Sequence, residues 1–280
     1  MKPRLISVSP DAWDLELHEQ IAKICPLEEA IVKEQLKDLE LSDLKSPTLV
    51  RLFKEAGKDA LMWLGSQGRA SSEAAVIGYA DAILVQGDEP PRAISILPQA
   101  VQACLAIETI PCDIAGAGLI VGAIDFARPM AASLARLGLK RILIVDPDDR
   151  ATEKLVALLS RRLVGIQIEA LSRSRLTQIP TEASVAVNLV EAFDDSILEE
   201  SILEDVSYMN FLRPEGIWID WTGATADRGF SDEIANAGVT VVNSLLIRRQ
   251  RDALLISKLT GRKAEEVYAS LADSPVSHPG

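Results

Sequence analysis

Residues 121–138, VGAIDFARPMAASLARLG, combine an apolar run, a glycine and a helical pattern in a way that could grip a phosphate. A dinucleotide turn uses glycines for three purposes: close backbone approach to a pyrophosphate, close packing of helix on strand, and presentation of the helix N-terminal amides to the anion. Gly122 is placed for the tight turn, with Ala123, Ile124 and Asp125 in the positions after it. Ile124 and Asp125 stand where close approach matters, and Asp125 sets a negative charge beside the expected phosphates. Asp125 is equally suited to capping the helix that follows. Arg128 carries the planar fork that holds a phosphate through two parallel bonds, or is solvated on the first turn, where Pro129 is tolerated. The GAG at 116–118 has the right letters but precedes the apolar run, which makes it a weak match.

The second run, IVDPDDR at 144–150, ends in acids. An acid at the end of a second strand accepts the ribose hydroxyls of an adenosine cofactor and opposes a 2′-phosphate, so Asp146 favours NAD over NADP. The alternative is that Asp146, Asp148 and Asp149 cap the next helix.

The elements that must hold these residues are legible from about residue 116 onward. Apolar runs at 118–122, 141–146, 165–171, 184–190, 216–221 and 239–243 alternate with helical patterns, as in a parallel sheet covered by helices. They predict a Rossmann-like, doubly wound parallel domain over 116–245. The DDRATEKLVALLSRRL helix begins with acids at its positive dipole end and finishes with Arg161 and Arg162 at its negative end. Residues 1–115 read as a separate, smaller α/β domain of the substrate type. Helical patterns are expected at 11–24, 27–40 and 47–57, strands at 59–65 and 81–87, and a helix around 97–107. The C-terminal helices of 246–280 are expected to close back on the domains. The fold class is therefore α/β with two domains.

Composition narrows the partners. With 29 basic and 41 acidic residues the net charge is −12, which argues against a nucleic-acid binder. Cys25, Cys104 and Cys112 have no CxxC spacing and read as core thiols of a reducing compartment. The two histidines, His18 and His278, predict no metal site, and His18 reads as a helix-surface residue. No apolar run reaches the roughly 18 residues a membrane span needs, so a cytoplasmic chain with no membrane partner is expected. The expected partner is a small-molecule ligand, and the oligomeric state is left open, a homodimer included.

The C-terminal half resembles shikimate dehydrogenase. The family's cofactor turn reads roughly GAGGAAR, and Gly122 to Gly138 lines up with that turn and its helix without a gap. Where the family has a basic NRT clamp for NADP, this chain has the acidic DPDDR. VAVNLV is similar to the strand that ends in an Asn-x-Thr loop near the nicotinamide, with Asn188 matching and Val190 in place of the threonine. GIWIDWTGA keeps Asp220 and has Gly223 at the tyrosine position. In the DGxxMLxxQxxxxFxxWTG helix, Asn243 stands for Asp, Ser244 for Gly and Arg251 for the substrate-contacting glutamine. Further upstream, Ser46 and Pro47 match a substrate-contacting SPxMHN segment across a one-residue gap, with Val50 and Arg51 in place of the His-Asn pair. The resemblance implies a cofactor set of Gly122, Ala123, Ile124, Asp125, Arg128, Asp146 and Asn188, and a substrate set of Ser46, Asn243 and Arg251.

Family catalysis relies on a lysine in NVTxPxK and an aspartate in NTD, and neither segment is found. There is no lysine between Lys58 and Lys140, and Asp113 lies close to the cofactor strand. Two readings follow. One is an NAD(P)-dependent oxidoreductase of the shikimate dehydrogenase type acting on an unidentified small, anionic substrate held by Arg248, Arg249 and Arg251. The other is a non-catalytic relative that senses a ligand or binds a partner through a degenerate cofactor site, with those arginines paired to acidic neighbours. A different adenosine ligand is a third option.

Overall fold

The structure is a computed structural model and describes residues 2–45, 47–122, 124–146, 148–172, 175, 182–190, 211–222 and 236–273. The chain divides into two compact units, Met1–Val101 with Ile247–Gly280, and Gln102–Leu246.

The first unit opens with β1 (Arg4–Val8), α1 (Ala12–Ile24), β2 (Glu29–Lys33) and β3 (Thr48–Leu52). It continues through α2 (Glu55–Leu64), β4 (Arg69–Ala70), α3 (Ser72–Ile77), β5 (Ala82–Val85), β6 (Arg92–Ile94) and α4 (Leu97–Ile107), the last running on into the second unit. The six strands form one mixed sheet in the order β2-β1-β3-β5-β6-β4, parallel around β1 and antiparallel where β5 meets β3 and β6. The side-chain period of two divides β3 between two cores. Val50 and Leu52 join Ile6, Val8 and Ile83 on one face, while Leu49 joins Leu5 and Ala82 on the other.

Three expectations for this unit are corrected. Residues 27–40 hold the edge strand β2 in place of a helix, and 47–57 hold β3 and only the start of α2. Residues 59–65 are helical, because Ala56, Ala60 and Leu64 bury one face at a spacing of four. The patterns at 11–24, 81–87 and 97–107 form α1, β5 and α4.

The second unit carries β7 (Ala117–Val121), α5 (Ala127–Leu137), β8 (Arg141–Val145), α6 (Asp149–Arg162) and β9 (Gln167–Leu171). Among the described residues β10 (Ala183–Asn188), β11 (Leu212–Asp220) and β12 (Thr240–Asn243) follow. All six strands are parallel, in the order β12-β11-β10-β7-β8-β9. Counted within the unit this is 3-2-1-4-5-6, the order of dinucleotide-binding sheets, with the reversal between β7 and β10. Each of the six expected runs supplies one strand. α7 (Ser244–Thr260) then leads from β12 into the first unit, followed by α8 (Ala264–Ala272), and both bury Ala253, Ile256, Val267 and Leu271 against the Leu5–Leu49–Ala82 face. No helix among the described residues is long and apolar enough to cross a membrane.

Candidate functional site

The register of the second sheet brings the sequence-predicted residues to one edge. Leu171, Val145, Val121, Asn188, Asp220 and Asn243 pair in succession from β9 to β12, so their strands finish level. Gly122 and Asp146 follow Val121 and Val145 directly. Ligands of open parallel sheets bind outside this carboxyl edge where the strand order reverses, and Gly122 and Asn188 flank that point.

Gly122 has φ +107°, a conformation that favours glycine, and a Cβ there would meet the Leu189 side chain at 3.2 Å. Its N–H donates to the Val145 carbonyl, which ties the turn to the second strand. Beyond it the loop is furnished with side chains. Ile124 is half exposed, and Asp125 forms an ion pair with Arg128 at 2.9 Å. The α5 N-cap is Phe126, which makes no side-chain cap bond, so the capping role read for Asp125 is corrected. Close packing of helix on strand, which the third glycine of the motif normally permits, falls to Gly118 inside β7. A Cβ there would lie 2.8 Å from Leu134 of α5.

At the second strand the acids divide their duties. Asp148 caps α6, its carboxylate accepting the N–H groups of Arg150 and Ala151. Asp146 accepts the Asp148 N–H in a local turn and stands half-buried at the strand end, where a ribose would lie.

Asn188 is fully buried and its amide is oriented from both sides. The carbonyl accepts the Val190 N–H at 3.1 Å, and the nitrogen donates to Asp220 Oδ1 at 3.2 Å and Thr222 Oγ1 at 3.3 Å. Trp221, held by its main-chain N–H to the Asn188 main-chain carbonyl, sets its ring centroid 4.6 Å from that of Phe126. Asn243 lies exposed at the end of β12 and accepts the Leu245 N–H, starting α7.

In the first unit Arg251 is buried at 3% exposure. It donates to Asp14 at 2.8 Å, stands 3.2 Å from Asp252 and lies over the Phe53 ring. Arg248 meets Asp11 and Asp14. Arg51 makes a two-bond pair with Asp252 and donates to Ser7 Oγ, which shares a hydrogen bond with His18 Nδ1 at 2.7 Å. His18 is therefore buried on α1, correcting the surface reading, and burial together with Arg51 lowers its pKa to about 4. Burial pushes the Asp14 carboxyl up, but Arg248, Arg251 and Arg51 outweigh it and hold the pKa at about 2. Ser46 and Ala123, with Gly223 and His278, lie outside the described residues. Among the described residues no three His, Cys, Asp or Glu side chains gather as metal ligands.

No family model matches the chain, and no curated protein does. Solved structures do. Shikimate 5-dehydrogenase from Listeria monocytogenes, in complex with shikimate and NAD, aligns over 97% of this chain and 96% of its own with a TM-score of 0.74 and 16% identity. Quinate dehydrogenase from Corynebacterium glutamicum, in complex with NAD, aligns over 97% and 98% with a TM-score of 0.76 and 11% identity. The fold is that of the shikimate dehydrogenases. The same fold is found in the ligand-free 5-ketofructose reductase of Gluconobacter sp. strain CHM43, at a TM-score of 0.70 and 16% identity over 97% and 98%.

Within the shikimate dehydrogenase fold, sequence reasoning missed three features. Thr222, beside the noted Asp220, closes the Asn188 network. The Phe126–Trp221 contact joins residues far apart in sequence, and no local signal points to it. Lys54 was hidden by the helix expected at 47–57. It stands exposed just past β3 with φ +50° and ψ −128°, its carbonyl accepting the buried Tyr79 hydroxyl at 3.0 Å. A non-glycine residue in such a backbone conformation marks strain of the kind found at functional sites.

Proposed function

We propose that this chain is an oxidoreductase of the shikimate dehydrogenase type that binds a nicotinamide dinucleotide on its second unit, NAD(H) ahead of NADP(H), and acts on a small-molecule substrate. The observation that carries the reading is the alignment of Gly122, Asp146 and Asn188 along one carboxyl edge at the reversal of strand order. The similar structures from L. monocytogenes and C. glutamicum hold NAD, and that of Thermus thermophilus shikimate 5-dehydrogenase holds NADP(H).

The residues fit the cofactor best at its adenosine half. Asp148 supplies the cap of α6, and Asp146 is placed to accept ribose hydroxyls and to repel a 2′-phosphate. Gly122 gives the turn its positive φ, and Arg128 would exchange Asp125 for a phosphate oxygen. Asn188, locked by Asp220 and Thr222, fixes the shape of the edge beside the reversal. When bound, a nicotinamide supplies hydride chemistry. On the first unit Lys54 is the residue to test for the family's lysine role, that of orienting a substrate hydroxyl and handling its proton.

A non-catalytic, ligand-sensing role is the second reading, and the Asp125–Arg128 pair favours it, because it sets a carboxylate where the fold receives phosphates. Thermal-shift titration with NAD, NADH, NADP and NADPH tests the proposal. At about 100 times its dissociation constant a ligand adds about 2.7 kcal/mol, which raises the Tm by about 5 °C or more. The expected order is NAD(H) above NADP(H), and no response to any of the four removes the oxidoreductase reading. Binding without turnover across a panel of polyols, hydroxy acids and keto sugars selects the sensing role.

A further inference from the structure

The first unit contains a charge cluster that the nucleotide reading neither uses nor depends on. Three guanidinium groups, those of Arg51, Arg248 and Arg251, are each 3% exposed or less, and they surround one carboxylate, Asp14, that is equally buried. Asp14 Oδ1 accepts from Arg251 at 2.8 Å and lies 3.8 Å from Arg51, while Oδ2 accepts from Arg248. Asp14 also sits in the first turn of α1, at the positive end of that helix dipole.

We infer that this is a three-arginine anion site, shaped for a small carboxylate, which the chain fills from within by the side chain of Asp14. Two observations separate a prebuilt site from an ordinary ion pair. The arginines are held by groups other than the Asp14 carboxylate: Arg51 by both Asp252 oxygens, by Ser7 Oγ and by the Asp14 main-chain carbonyl, and Arg51 and Arg251 by the Phe53 ring at 4.9 and 4.7 Å. Asp14 is also the carboxylate that all three guanidinium groups share. Without it Arg248 keeps the partly exposed Asp11, Arg51 and Arg251 divide Asp252 between them, and the buried Asp81 acts on Arg251 from beyond ion-pair distance, so three buried positive charges converge on the vacated space, which is strongly unfavourable. Removing the carboxylate while keeping the arginines therefore leaves a cavity that draws in an anion of the same size. With Asp14 in place the cluster accepts no outside anion, so Arg251, at the position of the substrate-contacting glutamine in the sequence resemblance, serves the chain's own carboxylate.

The test compares sodium formate with sodium chloride at equal ionic strength, reading the Tm of the full chain. For the wild type the two salts give the same Tm. Asp14→Ala lowers the Tm in chloride by about 10 °C, and formate, which replaces the deleted carboxylate, restores about half of that loss. If Asp14→Ala does not fold in chloride, the readout becomes its folded fraction by circular dichroism, which formate raises and chloride does not. The absence of a formate response in either readout overturns the inference. So does a formate-specific rise in the wild type that Arg251→Gln abolishes, since the cluster would then be open to outside anions while Asp14 is present.

Discussion

Asp125 and Arg128 pair at the start of α5, and on the proposed reading that local pairing would set the phosphate affinity of the turn. A helix N-terminus favours an anion, and a carboxylate already placed there competes with a phosphate for both the amides and the arginine. Asp125→Asn removes the competing charge and releases Arg128, so it tightens NADH binding by about two- to five-fold, the equivalent of about 0.5–1 kcal/mol. Isothermal titration of wild type and variant checks this, and weaker binding by Asp125→Asn would show that the aspartate supports the ligand. Asp146 acts on selectivity instead. On the proposed reading its carboxylate would face a ribose and oppose a 2′-phosphate, so Asp146→Ala is expected to bring the dissociation constants of NADH and NADPH toward equality. An unchanged ratio would assign the preference to another group.

The inner strands of the second unit were legible because each is buried by its neighbours and reads as a β-branched run, as VAVN and RILIV do in β10 and β8. The first unit obscured itself. β2, EAIVK, is rich in helix formers and becomes a strand only because β1 offers it an edge, a tertiary pairing that outweighs propensity. β3 carries Arg51 in an otherwise apolar run, and that charge is acceptable only because Asp252, some two hundred residues away, meets it. The site was legible where chemistry is local, at Gly122 and Asp146. It was illegible where it depends on distant contacts, as for Trp221 against Phe126 and for Arg251 against Asp14. Two stability predictions follow from the helices that frame the turn. Asp148→Ala deletes the α6 cap and costs about 1 kcal/mol, whereas Asp146→Ala, which loses one turn bond, costs less. Gly118→Ala drives a methyl to within 2.8 Å of Leu134 and costs about 1–3 kcal/mol through overpacking of α5 on β7. Urea denaturation of the three variants ranks them, and an Asp146→Ala loss as large as that of Asp148→Ala would return the capping role to Asp146.

Across the whole molecule, acidification acts in two opposing ways. The chain carries a net charge of −12 at pH 7, so protonating surface carboxylates relieves self-repulsion and favours the folded state, an effect that salt screens. His18 works against this from inside the first unit. Its pKa is lowered from 6.5 to about 4 in the folded chain, first by burial and then by Arg51, so the unfolded state binds the extra proton between those values. Its contribution is fully present above pH 6.5 and is lost as the pH falls toward 4, about 3 kcal/mol in all. Asp14 adds a second loss at lower pH, since its pKa is lowered from 3.8 to about 2 and its stabilisation disappears as the pH falls through that range. In about 0.5 M salt, where the surface term is screened, the Tm is expected to fall by several degrees between pH 6.5 and 4. His18→Asn retains a hydrogen-bonding partner for Ser7 Oγ but does not titrate, so its Tm changes far less over that interval. The variant and the wild type then share the fall below pH 4, to which Asp14 contributes equally in both. Parallel Tm curves for the two proteins from pH 6.5 to 4 would move the acid sensitivity of the fold away from the Arg51–Ser7–His18 chain of hydrogen bonds.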